Sequence, residues 1–232
     1  GIKKGGIRLD SGDIAYLSRK ARKMLDEAGW TECTITVSNS LDEYLIQDLW
    51  MQDAKIDAFG VGERLITAKS EPVFGCVYKL VAVEDKDGNI VPKIKISENV
   101  GKITTPHFKK LYRFYGRDTG KAIADYLTVY DETVDDSQNL EIFDPDATWK
   151  RKEVYHFEAR ELLVPIYQKG KLVYKRPGIE EIKKYCAEQV DTLWDEVKRF
   201  DNPHNYYVDL SQKLYDIKAE LLNEKNERYE KN

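Results

Sequence analysis

The sequence predicts an α/β protein in which three βα units are followed by an α+β region with hairpins and two C-terminal helices. Between residues 6 and 68, short apolar runs of β type alternate with runs whose apolar residues have helical spacing. This alternation is typical of parallel sheets and α/β barrels. After residue 76, β-type runs flank turns that contain glycine, which indicates antiparallel hairpins.

Cap residues support the helices of the first part. Ser11 or Asp13 can cap the first helix at its N-terminus, and Gly29 suits its C-terminus. Ser40 is the candidate cap of the second helix. Strands are predicted at residues 7–9, 34–37 and 56–59, and helices at 14–28 and 41–52.

The strand count has a consequence for domain organisation. Three βα units cannot close an α/β barrel, which takes about eight strands. We therefore expect residues 1–75 to be the last βα units of a barrel and the chain to be the C-terminal part of a larger enzyme. Residues 76–232 are expected to form an α+β region that packs on this barrel.

The second region is assigned mainly from turns and helical periodicity. Hairpins are predicted to turn near Asp87-Gly88 and at Lys169-Gly170, and residues 131–153 are predicted to be an acidic loop. Two amphipathic helices are predicted near residues 178–200 and 208–228.

Composition and charge exclude several classes of protein. The net charge of −4 argues against a general nucleic-acid surface, and no apolar run approaches the ~20 residues that a membrane-spanning helix needs. The cysteines Cys33, Cys76 and Cys186 are far apart and form no CxxC motif. They indicate reduced thiols in a cytoplasmic protein rather than disulfides or a zinc site.

The first candidate site follows the first strand, in the stretch GGIRLDSGD at residues 5–13. The carboxyl ends of barrel strands carry active sites. The planar guanidinium of Arg8 suits a carboxylate, a phosphate or a ring, and Asp10 can fix it or accept a proton. The structural alternative is an Arg–Asp pair beside a helix cap.

Two further candidate groups follow the second and third strands. In VSNSLDEY, Ser38 and Asn39 end a strand, and Asn39 with Asp42 and Glu43 could hold ribose hydroxyls or a metal–diphosphate. The alternative is an ordinary cap with acidic first-turn residues. In FGVGERL, residues 59–65, the glycines allow backbone N–H groups to crowd together as an anion nest.

Taken together, several stretches resemble nicotinate phosphoribosyltransferase along nearly the whole chain and in order. These stretches are GIRLDSGDIAYLSRKARKMLDEAG, VSNSLDEY, IDAFGVGERLITA, GCVYKLVAV, KITTPHFKKLYRFY, ARELLVPIYQKGKLVY and VDLSQKLYDIKAELL. The resemblance implies the C-terminal part of a type II phosphoribosyltransferase α/β barrel. It also implies that nicotinate and 5-phosphoribosyl 1-diphosphate give nicotinate mononucleotide and diphosphate in NAD synthesis, with Mg²⁺ and with hydrolysis of ATP.

The resemblance assigns substrate-binding roles at all three strand ends. It implies base contacts from Arg8 and Asp10, ribose contacts from Ser38 and Asn39, and a 5′-phosphate loop at Gly60, Gly62 and Glu63. In the loop, the backbone N–H groups of Gly62 and Glu63 are expected to act. We expect no metal ligand and no catalytic residue within this chain.

The family couples ATP hydrolysis through a phosphorylated histidine that precedes the matched stretches. His107, His156 and His204 stand in no matching motif, so the role is not transferred to them, and we expect the chain alone to be inactive. We expect the full protein to be a homodimer with neither nucleic acid nor membrane as partner. The alternative function is a non-catalytic phosphoribosyl-binding or interaction module.

Overall fold

The structure is a computed structural model that describes residues 5–73 and 75–230. It divides into two compact units, Gly1–Val77 and Tyr78–Asn232. Each unit has strands, helices and a hydrophobic core of its own. The prediction of a mixed α/β protein is confirmed. Within the described residues, no helix is both long and apolar enough to cross a membrane.

The first unit is a three-stranded parallel sheet with helices between its strands. The sheet order is β1-β2-β3, so β2 is the central strand. The strands are β1 (Gly6–Leu9), β2 (Thr34–Ser38) and β3 (Ala58–Gly60), and the helices are α1 (Ile14–Glu27), α2 (Glu43–Met51) and α3 (Glu63–Ile66).

Aspartates cap the two longer helices of the first unit. Asp13 caps α1 by accepting a hydrogen bond from the Tyr16 N–H at 2.9 Å. Asp42 caps α2 by accepting from the Leu45 N–H at 2.9 Å, so the prediction of Ser40 as the cap is wrong. Ser40 has a φ of +56° rather than the extended backbone that a cap residue needs.

The core of the first unit lies against the central strand. Ile35 and Val37 of β2 are fully buried and pack with buried side chains of the two longer helices and the β2–α2 turn. The alternation of buried and exposed residues along β2 is the period-two pattern of a strand. This packing fixes the strand ends that carry the polar candidates.

The second unit is built on a four-stranded sheet of order β10-β6-β7-β13, with β13 parallel to β7 and the other pairs antiparallel. Its core centres on Phe114 and Phe157, whose rings lie 4.7 Å apart. The strands are β4 (Ala82–Glu84), β5 (Ile90–Pro92), β6 (Lys109–Gly116), β7 (Ala122–Val129), β8 (Leu140–Phe143), β9 (Arg151–Val154), β10 (Phe157–Glu161), β11 (Tyr167–Gln168), β12 (Lys171–Leu172) and β13 (Val208–Leu210). The helices are α4 (Ile179–Asp191) and α5 (Gln212–Glu230).

Three predictions for the second unit need correction. The segment predicted as an acidic loop contains the antiparallel pair β8 and β9. The helix predicted to reach residue 200 ends at Asp191, where the Lys121 ammonium donates to the Asp191 and Leu193 carbonyls. Residues 208–210 are a strand, because their backbone pairs with that of β7.

Candidate functional site

The carboxyl ends of the three parallel strands lie side by side at one edge of the first unit's sheet. The register places Leu9 opposite Val37, and Ser38 opposite Gly60. The polar residues that end each strand therefore meet at this edge, which we call the strand-end site: Arg8, Asp10, Ser38, Asn39, Gly60, Gly62 and Glu63.

Asp10 links the ends of β1 and β2. Its Oδ1 accepts a hydrogen bond from the Ser38 hydroxyl at 2.6 Å, across 28 residues of sequence. The Arg8 Nη2 lies 3.5 Å from Asp10 Oδ2, at the long limit for a hydrogen bond. The Arg8 and Asp10 side chains are 66% and 55% exposed, so both remain accessible to a ligand.

The turn after β2 has an unusual backbone. Asn39 and Ser40 both have positive φ, +90° and +56°, a conformation that non-glycine residues rarely adopt. The Ser40 hydroxyl donates to Asn39 Oδ1 at 3.3 Å. Two such residues in succession are a local strain of the kind that accompanies ligand sites, and they place Asn39 at the wall of a cavity.

This cavity lies between the ends of β2 and β3 and measures about 200 Å³. Asn39, Gly60, Gly62 and Glu63 line it. Helix α3 begins at Glu63, and its cap Gly62 has no side chain to bond the first amides. The first N–H groups of a helix lack partners within that helix, so this turn offers donors for an anion.

A Cβ built on Gly60 would lie 3.4 Å from the Ser38 Cβ. This distance is ordinary van der Waals contact with the neighbouring strand end. A larger side chain at Gly60 would therefore occupy space between the ends of β2 and β3.

The acidic residues that open α2 are engaged within the protein. The backbone N–H of Leu45 and the Arg64 guanidinium hold the pKa of Asp42 below its ordinary value. The Ser70 hydroxyl donates to Glu43 Oε1 at 2.7 Å and lowers the pKa of that carboxyl. These contacts favour the structural interpretation of Asp42 and Glu43 over a metal–diphosphate role.

Arg64 is a residue that the sequence analysis missed. It lines the same cavity as Gly62 and forms an ion pair with Asp42. Its position directly after the glycine loop was the signal in the sequence. The direction of its side chain, however, depends on where α3 begins. Its ion pair with Asp42 holds the guanidinium at the wall of this cavity.

The three histidines lie in the second unit. His107 is buried and its Nδ1 contacts the Phe108 backbone, while His156 Nε2 lies 3.1 Å from Asp118. In the part of the chain that the structure describes, no group of three or more His, Cys, Asp or Glu residues is arranged to hold a metal ion.

Sequence comparisons relate the chain to one family. Residues 108–218 match the model of the nicotinate phosphoribosyltransferase C-terminal domain. The chain is 47% identical over 225 residues to nicotinate phosphoribosyltransferase of Bacillus subtilis, covering 97% of this chain and 46% of that protein. It is 31% identical over 222 residues to the Homo sapiens protein of the same name, covering 92% and 40%.

The fold comparison gives the same answer. The crystal structure of human nicotinic acid phosphoribosyltransferase matches with a TM-score of 0.68 at 25% identity, over 94% of this chain and 40% of that one. The chain thus spans less than half the length of these relatives. The predicted resemblance is confirmed, and sequence and fold together relate this chain to the C-terminal part of nicotinate phosphoribosyltransferases.

Proposed function

We propose that the chain is the C-terminal part of an enzyme that joins nicotinate to 5-phosphoribosyl 1-diphosphate, releasing nicotinate mononucleotide and diphosphate with hydrolysis of ATP. The observation that carries the proposal is the strand-end site itself. It brings a guanidinium, a carboxylate, small polar groups and a glycine turn to one sheet edge, in a chain whose relatives bear the name of that enzyme.

The first unit would supply the last βα units, residues 1–75, of a type II phosphoribosyltransferase barrel. Strands β1 and β3 are the outer strands of the three-stranded sheet. Each has one side without a partner strand within the described residues, and proteins normally cover or pair such edges. Pairing with further strands would complete the barrel and surround the strand-end site.

The nicotinate base would lie beside Arg8 and Asp10. A guanidinium can bind the carboxylate of nicotinate with two parallel hydrogen bonds, or stack on the pyridine ring. The Ser38 hydroxyl donates to Asp10 Oδ1 at 2.6 Å and would orient the Asp10 carboxylate. These contacts would align the ring nitrogen with the ribose carbon, which is the positioning that the transfer needs.

The phosphoribosyl group would occupy the cavity between β2 and β3. Ser38 and Asn39 would contact the ribose, and the backbone N–H groups of Gly62 and Glu63 would bind the 5′-phosphate. The Glu63 side chain would not be required. The cavity of about 200 Å³ is lined by Arg64, which would add a positive charge near the phosphate.

Mg²⁺ and ATP remain part of the proposal. Magnesium is typically bound by one or two carboxylates together with substrate phosphates. Asp10 and Glu63 are exposed carboxylates of the site, whereas Asp42 and Glu43 are engaged within the protein. These residues therefore fit a magnesium ion that is bound largely through the diphosphate. When bound, the ion would neutralise the negative charge of this leaving group.

A homodimer of the full protein and a cytoplasmic location complete the proposal. The three cysteines are unpaired, which agrees with a reducing compartment. The histidine that is phosphorylated in this family is expected outside this chain, so the chain alone is expected to be inactive.

The test is complementation. The chain is mixed with the N-terminal part of the Bacillus subtilis relative, and nicotinate mononucleotide is measured with 5-phosphoribosyl 1-diphosphate, Mg²⁺ and ATP. We expect product from the mixture and none from either part. Asp10→Asn should lower the rate at least about tenfold because it removes the charge beside the base, whereas the control Asp48→Asn on α2 should not.

The alternative, a non-catalytic phosphoribosyl-binding module, predicts a different result. Such a module would bind 5-phosphoribosyl 1-diphosphate in calorimetry, and the mixture would form no product. Turnover by the isolated chain would contradict the expectation that this part is inactive alone.

A further inference from the structure

The second unit contains a cavity of about 490 Å³ that is lined by apolar and aromatic side chains. Its size is within the range of about 300–1,000 Å³ that is typical of small-molecule sites. Strands β7 and β9 contribute the apolar residues Ala122, Ile123 and Val154. Four aromatic residues also line the cavity: Tyr155, Trp194, Tyr206 and Tyr207. The cavity therefore offers a broad apolar surface to a planar ligand.

Hydrogen bonds within the protein fix two of the aromatic rings. The Trp194 indole N–H donates to the Ala122 carbonyl at 3.1 Å, and the Tyr206 hydroxyl donates to Asp125 Oδ1 at 3.0 Å. The side chains of Trp194 and Tyr207 are 45% and 43% exposed, so both remain accessible to a ligand. Because Trp194 is already ordered, a ligand that stacks on it would cost little further conformational entropy of the protein.

The charges of the cavity disfavour a phosphate group. Its carboxylates are those of Asp118, Glu153 and Glu196, and its lysine is Lys152. Even if both histidines of the cavity were protonated, these charges would sum to zero. Binding of an anion is favoured by an excess of positive charge, which these residues do not supply. The cavity is therefore suited to an uncharged ligand.

His156 and Asn205 give the cavity hydrogen-bonding groups. His156 Nε2 lies 3.1 Å from Asp118 Oδ1, and a carboxylate only accepts hydrogen bonds. In the neutral imidazole the proton therefore lies on Nε2, and Nδ1 can accept a hydrogen bond from a ligand. The Asn205 side-chain amide can both donate and accept. An amino group beside a ring nitrogen, as in adenine and cytosine, is complementary to these groups.

We propose that this cavity binds an uncharged nucleobase that carries an exocyclic amino group, as the free base or as its nucleoside. The base stacks on Trp194, its amino group donates to His156 Nδ1, and its ring nitrogen accepts from the Asn205 amide. All residues of this site belong to the second unit. The proposal therefore does not depend on the proposed enzymatic function.

The first experiment titrates the chain with adenosine at about pH 8 and follows the indole N–H resonance of Trp194 by NMR, assigned with Trp194→Phe. Inosine, which has a carbonyl in place of the amino group, and AMP, which adds a phosphate, are the matched ligands. We expect adenosine to shift this resonance and to bind at least about fivefold more tightly than inosine, which lacks the amino-group hydrogen bond. AMP should bind at least about threefold more weakly than adenosine, because its phosphate is repelled.

Two variants then locate the ligand. Tyr155 and Tyr167 are 70% and 66% exposed, and Tyr155 lines the cavity. Tyr155→Ala should weaken adenosine binding at least about threefold, because part of the aromatic wall is lost, whereas the control Tyr167→Ala should not change it. His156→Ala should abolish the preference for adenosine over inosine while leaving the affinity for inosine nearly unchanged.

Three results would overturn the proposal. An unchanged Trp194 resonance at millimolar adenosine would show that the cavity binds no nucleobase. Equal affinities for adenosine and inosine would exclude the amino group as the recognised feature, and AMP binding as tightly as adenosine would exclude an uncharged ligand class. An equal loss of affinity in Tyr155→Ala and Tyr167→Ala would place the ligand outside this cavity.

Discussion

Arg113 and Asp125 face each other across β6 and β7 in the second unit, whereas Arg8 and Asp10 lie two residues apart at the end of β1 in the first. The Arg113 guanidinium donates two hydrogen bonds to Asp125, at 2.7 and 2.9 Å. The Arg8–Asp10 distance is 3.5 Å. The same two residue types therefore form one tight pair and one loose pair.

Burial and third partners explain the difference. The Asp125 side chain is 12% exposed and also accepts from the Tyr206 hydroxyl at 3.0 Å. The Asp125 carboxylate raises the pKa of Arg113 further above its already high value. Asp10 is instead held by one hydroxyl and is mostly open to solvent. Charges satisfied within the protein stabilise the fold, while charges left open can bind a ligand.

The largest expected effect comes from breaking the tight pair. Asp125→Asn should lower the free energy of unfolding by about 3 kcal/mol, because it leaves the Arg113 charge largely buried without its counter-charge. Urea denaturation measures this change, with Asp10→Asn as the matched variant in the first unit. A loss no greater than that of Asp10→Asn would show that the two pairs are equivalent.

The parallel sheet of the first unit could be predicted because its signals are local. Apolar periodicity and the caps around α1 mark the elements without any knowledge of tertiary contacts. The pairing of β8 with β9 and the end of α4 could not be predicted in this way. The end of α4 involves the contact of Lys121 with Asp191, which are 70 residues apart. Strands β8 and β9 are close in sequence, but charged residues interrupt their apolar pattern.

The strand-end site was predictable to the same degree. Parallel strands bring their carboxyl ends to one edge, so the positions of Asp10 and Ser38 followed from the strand assignment. The roles of those residues stay a prediction. Arg64 was missed because its pairing with Asp42 depends on the backbone turn at Gly62, and that turn is not encoded in any periodicity.

Asp209 of β13 is a buried aspartate, in contrast to the exposed Asp10 of the first unit. Burial raises its pKa from 3.8 to about 6, so protonated Asp209 stabilises the folded chain. This stabilisation is complete below about pH 3.8 and is lost as the pH rises through about 6.

Asp209→Asn should therefore raise the free energy of unfolding above pH 6, by up to about 3 kcal/mol, with no effect at pH 3.5 or below. Urea denaturation across this pH range tests the expectation. The control Asp195→Asn should show no such increase in the free energy of unfolding, because the Asp195 carboxylate is exposed. If the increase for Asp209→Asn did not change with pH, the Asp209 carboxyl would have the same pKa in the folded and unfolded chain.

A smaller effect distinguishes the two candidate caps of α1. Asp13→Ala should lower the free energy of unfolding by about 1 kcal/mol, because the Tyr16 N–H loses its acceptor. Ser11→Ala should change stability by less than about 0.5 kcal/mol, as expected for a surface substitution. Thermal unfolding of both variants measures the difference, and equal effects would contradict the assignment of Asp13 as the cap.

The smallest effect on stability is expected at Arg8, where the effect on binding should be large. Arg8→Ala removes an exposed pair that contributes less than about 1 kcal/mol, and the Ser38 hydroxyl still holds Asp10 in place. In the complementation assay, however, the variant should raise the KM for nicotinate at least about tenfold, since a charge-assisted contact to its carboxylate is lost. Arg8→Lys should recover only part of this loss, because an ammonium lacks the planar fork of the guanidinium. If Arg8→Ala instead destabilised the chain as much as Asp125→Asn, the loose pair would be a structural one, and the base contact assigned to Arg8 would have to be abandoned.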